Sequence, residues 1–160
     1  MRVGLPLPLF YPTIERALIA RVAALGPIDV IATHVGALDR EIVAALDRLP
    51  GDVERIETPN RGWDIGPLFE LLPLLAERGY ELVGKLHTKK GGSGYAPEWR
   101  QLAYDGMIGS RALVEEIVRT LAEHDDLSLL GAKPLYKSVA SHLFRNAELL
   151  SDLAPRLVAP

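Results

Sequence analysis

Two short runs hold the side chains best suited to chemistry. The first, Asn60-Arg61-Gly62-Trp63-Asp64, places an amide, a guanidinium, a glycine, an indole and a carboxylate side by side. In this company Asn60 and Asp64 can hydrogen-bond the hydroxyls of a nucleoside or sugar. Arg61 can meet a phosphate and Trp63 offers a stacking face, while Gly62 permits a positive φ or the close approach of a ligand. A structural role competes. Asp64 stands shortly before Pro67, where a carboxylate can cap the first turn of a helix and complement its dipole.

The second run is Lys85-Leu86-His87-Thr88-Lys89-Lys90. Strand alternation puts Val83, Lys85 and His87 on one face and Leu82, Gly84 and Leu86 on the other. A lysine in a central strand costs several kcal/mol unless it is paired or reaches water at a rim. One reading is therefore a solvated basic turn. The other is a phosphate clamp, in which Lys85, Lys89, Lys90 and Arg100 neutralise a diphosphate, the lysines as point charges and the arginine as a fork. His87 can donate to a phosphate, act as acid or base, or serve only as a structural hydrogen-bonder.

Both runs follow segments that read as strands. Residues 3–10 are apolar, but Pro6 and Pro8 suit an edge strand or one running into a loop. Ile14, Leu18 and Val22 predict a helix over 13–25, and the β-branched run IDVIATHV predicts a buried strand over 28–35. A helix over 38–49 carries Ile42, Val43, Leu46 and Leu49 on one stripe. A strand over 53–58, a helix over 67–78 and a strand over 80–87 follow. Helices over 98–108 and 111–124, a fifth strand over 127–132 and a helical tail over 138–153 complete the pattern. Strands separated by helices imply a mainly parallel open sheet of about five strands, an α/β fold with helices on both faces. Ligands of such sheets bind outside the carboxyl ends of the strands. The chemistry-bearing runs follow the third and fourth strands, so both are expected on one concave rim.

Composition bounds the rest. The 160 residues suit one domain, and 48% apolar with 24% charged residues is ordinary globular usage. A net charge of −3 disfavours a nucleic-acid partner held by bulk positive charge. The absence of cysteine excludes disulfides, thiolate metal sites and cysteine nucleophiles. No apolar run approaches the roughly 20 residues of a membrane span, and the start lacks a signal-peptide pattern. The expectation is a cytoplasmic domain that reaches the inner membrane face only through partners. P-loop, dinucleotide and His-Glu-x-x-His motifs are missing, and Asp125-Asp126 reads as a solvated turn. No required cofactor is indicated; a divalent cation is compatible, but no Asp-x-Asp pair follows the fourth strand. Oligomeric state stays open.

Phe10-Tyr11-Pro12, Pro59-Asn60-Arg61-Gly62-Trp63-Asp64-Ile65-Gly66-Pro67, Lys85-Leu86-His87-Thr88-Lys89-Lys90 and Trp99-Arg100 resemble, in order and spacing, the rhamnan synthesis protein F family. The likeness covers roughly residues 3–134. It implies a nucleotide-diphosphosugar-transferase fold of the GT-A type. It further implies a glycosyltransferase-like role in bacterial cell-surface polysaccharide and lipopolysaccharide synthesis, a dTDP- or UDP-linked donor such as dTDP-rhamnose, and a glycan or lipid-linked acceptor. The set carried over is His87 and Asp64 as catalytic, with Asn60, Arg61, Gly62, Trp63, Lys85, Thr88, Lys89, Lys90 and Arg100 as donor-binding. Family members usually carry Arg at the position of Trp63 and continue beyond the counterpart of Pro160. The expectation is thus a single α/β domain over 1–160 that lacks an acceptor-side part. Two other readings stand beside transfer: a non-catalytic nucleotide- or glycan-binding module of a synthesis complex, and a phosphate-recognising regulatory domain.

Overall fold

A computed structural model describes residues 2–62, 65–86, 88, 96–135, 148 and 151. In chain order the elements are β1 (Val3–Leu9), α1 (Pro12–Ala24), β2 (Asp29–His34), α2 (Arg40–Leu46), β3 (Val53–Glu57), α3 (Gly66–Glu77), β4 (Leu82–Val83), α4 (Ala96–Ile108) and α5 (Arg111–Glu123). The four strands form one parallel sheet in the order β3-β2-β1-β4. The α/β expectation holds in this form, and the helices predicted over 13–25, 38–49, 67–78, 98–108 and 111–124 are present within a few residues of their expected bounds. Of the helix expected over 138–153, only Glu148 and Ser151 are described, both helical.

Alternation along β1 explains the two layers. Leu5, Leu7 and Leu9 point to one face, where they meet Val30 and Ala32 of β2, Leu18 and Val22 of α1, Ile42 and Leu46 of α2, and Tyr104 and Ile108 of α4. The other face is covered by α3, whose Leu71 and Leu75 pack on Ile31 with Ile56 and Tyr80 at the margin. On that face Tyr80 lies against Gly4, where a Cβ would stand 3.0 Å from the ring. The chain steps from β1 to β3 with α1 and α2 on one face, then returns past β1 to β4 with α3 on the other. Connections of a single hand require that exchange of faces.

Three expectations need correction. β1 is central, not an edge, because both prolines turn the same side of their backbone toward β4. Gly84 and Leu86 donate to the carbonyls of Gly4 (2.9 Å) and Pro6 (3.5 Å), so the even residues of β1 serve β4 and the odd ones serve β2. The β1–β2 ladder runs unbroken over six pairs. On the other side Pro6 has no N–H to return to the Gly84 carbonyl. The fourth strand, expected over 80–87, therefore shrinks to Leu82–Val83. Finally, residues 127–132 form no strand. Tyr104 and Ile108 of α4 and Val114 of α5 pack on the same face as α1. A parallel strand beyond β4 would then close a left-handed crossover, which is strongly disfavoured.

The amino ends of the strands are tied by charge. Arg2 reaches Asp29 at 3.0 Å and stacks 4.3 Å over the Tyr80 ring, and the Tyr80 hydroxyl donates to the same carboxylate at 2.9 Å. Burial and this neighbouring carboxylate hold the Tyr80 hydroxyl above its ordinary pKa.

Candidate functional site

Since every strand is parallel, the segments leaving β1, β2, β3 and β4 all open on one edge of the sheet. That edge gathers polar groups that the rest of the interior avoids. The buried polar side chains among the described residues are Glu15 at 2% exposure, Thr33 at 1%, Thr58 at 6% and Thr88 at 6%. Glu15 sits in the first turn of α1, just past β1. Thr33 is the penultimate residue of β2, Thr58 follows β3, and Thr88 lies beyond β4. Among the described residues the three threonine hydroxyls have no hydrogen-bond partner, a condition that costs about 1–3 kcal/mol each when left unmet.

Glu15 is partnered. It accepts the Tyr11 N–H at the start of α1, an arrangement like a capping box on a helix without a side-chain cap at Tyr11. Burial, foremost, pushes its pKa up; the backbone N–H groups of Tyr11 and Phe10 pull it down, and nearby Asp39 adds a smaller upward push. Asp39 itself caps α2, accepting from the Glu41 N–H at 2.7 Å.

The turn after β3 is built on two glycines. Gly62 adopts φ +78, and the N–H groups of Ile65 and Gly66 both donate to its carbonyl, at 3.2 and 2.7 Å. A Cβ on Gly66 would lie 1.9 Å from the Arg61 carbonyl, so no larger residue fits there without rebuilding the turn. The turn presents Asn60 and Arg61 outward. The Arg61 side chain is 84% exposed, with only a loose approach to Glu70 at 4.0 Å among the described residues. Its guanidinium is available to an anion arriving at the edge.

At the far end, Lys85 is half-buried and Leu86 is buried in the core on the opposite side of the strand. That agrees with the alternation expected of this segment, as does the Cβ of a residue replacing Gly84, which would sit 3.0 Å from the Leu5 side chain. Arg100 lies half-buried in the first half of α4, next to the exposed Trp99. Trp63, Asp64, His87, Lys89 and Lys90 lie outside the described residues.

The sheet order adds a dimension that the sequence lacks. β3 and β4 are the two outer strands, three interstrand spacings apart, or about 14 Å. The Asn60–Gly62 turn and the segment leaving β4 share an edge but occupy its two ends. One diphosphate cannot bridge them unless a loop folds far inward; an elongated ligand lying across the ends of β2 and β1 can. Glu15, Thr33 and Thr58 were not singled out by sequence. The available signal was a threonine at the close of the second and third predicted strands, a weak one, since threonine is common in strands for its shape alone.

No group of three or more metal-ligating side chains gathers among the described residues, and no described helix is long and apolar enough to cross a membrane. Comparison of the chain with protein-family models, with curated proteins and with solved structures finds no match.

Proposed function

We propose that this edge binds a nucleotide diphosphosugar in an extended pose and that the chain is a glycosyltransferase-like domain of bacterial cell-surface polysaccharide synthesis. The observation that carries the reading is the concentration of buried polar side chains on the carboxyl edge, with three hydroxyls unmet there. An edge of an α/β sheet that keeps such groups is suited to a polar ligand rather than to packing alone. Arg61 supplies a cation at one end, and the lysine-rich run follows β4 at the other. In transfer, cations near the diphosphate stabilise the charge that develops on the leaving group; Lys85, Lys89 and Lys90 are assigned that role. Asn60 and Asp64 are assigned to hydroxyls, and His87 to proton transfer.

A second reading has an observation of its own. Glu15, the buried carboxylate of this edge, is committed to the backbone at the start of α1, which leaves it poorly placed to serve as a base. That favours a domain that binds a nucleotide or glycan within a synthesis complex without turning it over. Isothermal titration with dTDP and UDP, with and without Mg²⁺, tests the shared claim. Binding is expected for wild type and is expected to weaken in Lys89→Ala. No heat at millimolar nucleotide overturns both readings. Release of free sugar, or its transfer, from a bound nucleotide sugar then separates enzyme from module.

A further inference from the structure

α3 is apolar on two sides. Its inner residues Leu71 and Leu75 are buried against Ile31. A second stripe runs along its outer side, made of Ile65, the residue before the helix, with Phe69, Leu72 and Ala76. All four are exposed, Phe69 at 65%. Steps of four, three and four residues hold them on one narrow face over three turns. A helix that is apolar on both sides belongs inside a larger body, and a continuous exposed stripe marks a contact where scattered apolar residues do not. The charges beside the stripe narrow the partner. Glu70 and Glu77 are exposed along one flank, and Arg61 stands one turn before its start. Helices that lie on a membrane carry lysine and arginine beside their apolar face, to meet anionic lipid, whereas α3 carries carboxylates there.

We propose that α3 packs antiparallel on α3 of a second copy of this chain, about a two-fold axis. A two-fold contact must complement itself, and this stripe does. With the axis between Glu70 and Leu71, Phe69 faces the second copy's Leu72 and Ile65 faces its Ala76, a larger side chain against a smaller one each time. Arg61 approaches Glu70 at 4.0 Å, so its guanidinium lies on the flank that holds both carboxylates. Antiparallel helices bring that flank of one copy against the same flank of the other. Arg61 at the amino end then comes beside the second copy's Glu77 at the carboxyl end, and the reverse pair forms at the opposite end. Parallel packing would set like beside like. Glu70 meets its own counterpart near the axis, and the approach of Arg61 offsets that repulsion. With five N–H donors Arg61 can meet a carboxylate and a phosphate together, so the contact leaves its ligand role in place. Three turns of helix bury less than the roughly 1,200 Å² at which stable interfaces begin, so the dimer is a transient one.

Sedimentation equilibrium of the full chain, in a series rising to millimolar concentration, is the test. Wild type should reach a dimer and go no further, because a two-fold contact closes. Phe69→Glu should stay monomeric yet melt with wild type, since it replaces a side chain that is mostly in water. Glu77→Lys sets like charges together at both ends and should weaken the dimer by roughly five- to tenfold, the scale of two exposed ion pairs. Arg61→Glu combined with Glu77→Lys should restore it. The chain has no cysteine, so the arrangement can be read by cross-linking. Ile65→Cys and Ala76→Cys proteins, mixed under oxidising conditions, should join to each other and neither to itself, because each lies about 16 Å along the axis from its own counterpart. Wild type that stays monomeric throughout overturns the inference, and so does a Phe69→Glu protein that dimerises like wild type. Self-joining of Ile65→Cys shows parallel packing and overturns the two-fold arrangement. Wild type that stays monomeric but binds anionic vesicles, with binding lost in Phe69→Glu, assigns the stripe to a membrane and overturns the inference too.

Discussion

Glu15 shows how one buried side chain can be read two ways, and titration separates them. Burial is the largest influence on its carboxyl and raises its pKa, against two backbone N–H groups that favour the charged form. A group whose folded-state pKa is raised contributes stability that is full below the ordinary carboxylate pKa and is lost as pH climbs through the folded value. Glu15→Gln keeps an oxygen for the Tyr11 N–H and cannot ionise. Wild type should therefore lose stability relative to this variant as pH rises from about 4 to about 7. Urea unfolding midpoints measured at steps across that range give the comparison. Parallel curves for the two proteins would mean that the carboxyl ionises as freely folded as unfolded. Thr33 and Thr58 add no titration of their own, which is why the sequence hid them: their significance lies in missing partners, and partners are a property of three dimensions.

At the level of the elements, much was legible because periodicity reports burial directly. Ile42 and Leu46 are buried as their helical spacing requires, while Val43 of the same expected stripe is half-buried and Leu49 is buried beyond the end of α2; the β-branched run of β2 is buried on both faces. What periodicity could not give was neighbourhood. Pro6 and Pro8 pointed to an edge, yet their missing donors all face the short β4 side, so a central strand tolerates them. Residues 127–132 have strand-like composition, but the placement of α4 and α5 denies them a right-handed crossover. The proline account predicts its own reversal. Pro6→Val restores an N–H to the β4 side and keeps an apolar side chain of similar bulk. The new bond to Gly84 is worth about 0.5–1.5 kcal/mol, offset by about 0.4–1 kcal/mol of unfolded-chain entropy that proline had removed. Global stability should hardly change, while amide exchange at Leu86, whose bond to residue 6 is long at 3.5 Å, should slow. Unaltered exchange at Leu86 would mean that something other than the proline ends β4.

Across the whole molecule the decisive fact is that Arg61, after β3, and Lys85, after β4, leave the two outer strands at opposite ends of a shared edge. Their common edge follows from parallel strands and was legible; their separation follows from sheet order, which no spacing in the sequence encodes. It changes the expected energetics of binding. If Arg61 and Lys89 gripped one diphosphate, removing either would alter what the other contributes, and their effects would not add. With β3 and β4 about 14 Å apart, the proposed reading has each cation meet a different part of an elongated ligand. Arg61→Ala and Lys89→Ala should each weaken a dTDP-sugar by an amount consistent with a lost charge-assisted hydrogen bond, about 1.5–3 kcal/mol. The double variant should lose the sum to within about 0.5 kcal/mol, as independent sites do. Inorganic diphosphate, too short to span the edge, should respond to only one of the two substitutions. A coupling above about 1 kcal/mol for the dTDP-sugar, or a response of diphosphate to both changes, would place the two cations around a single charge and make the loops, not the sheet, the scaffold of the site.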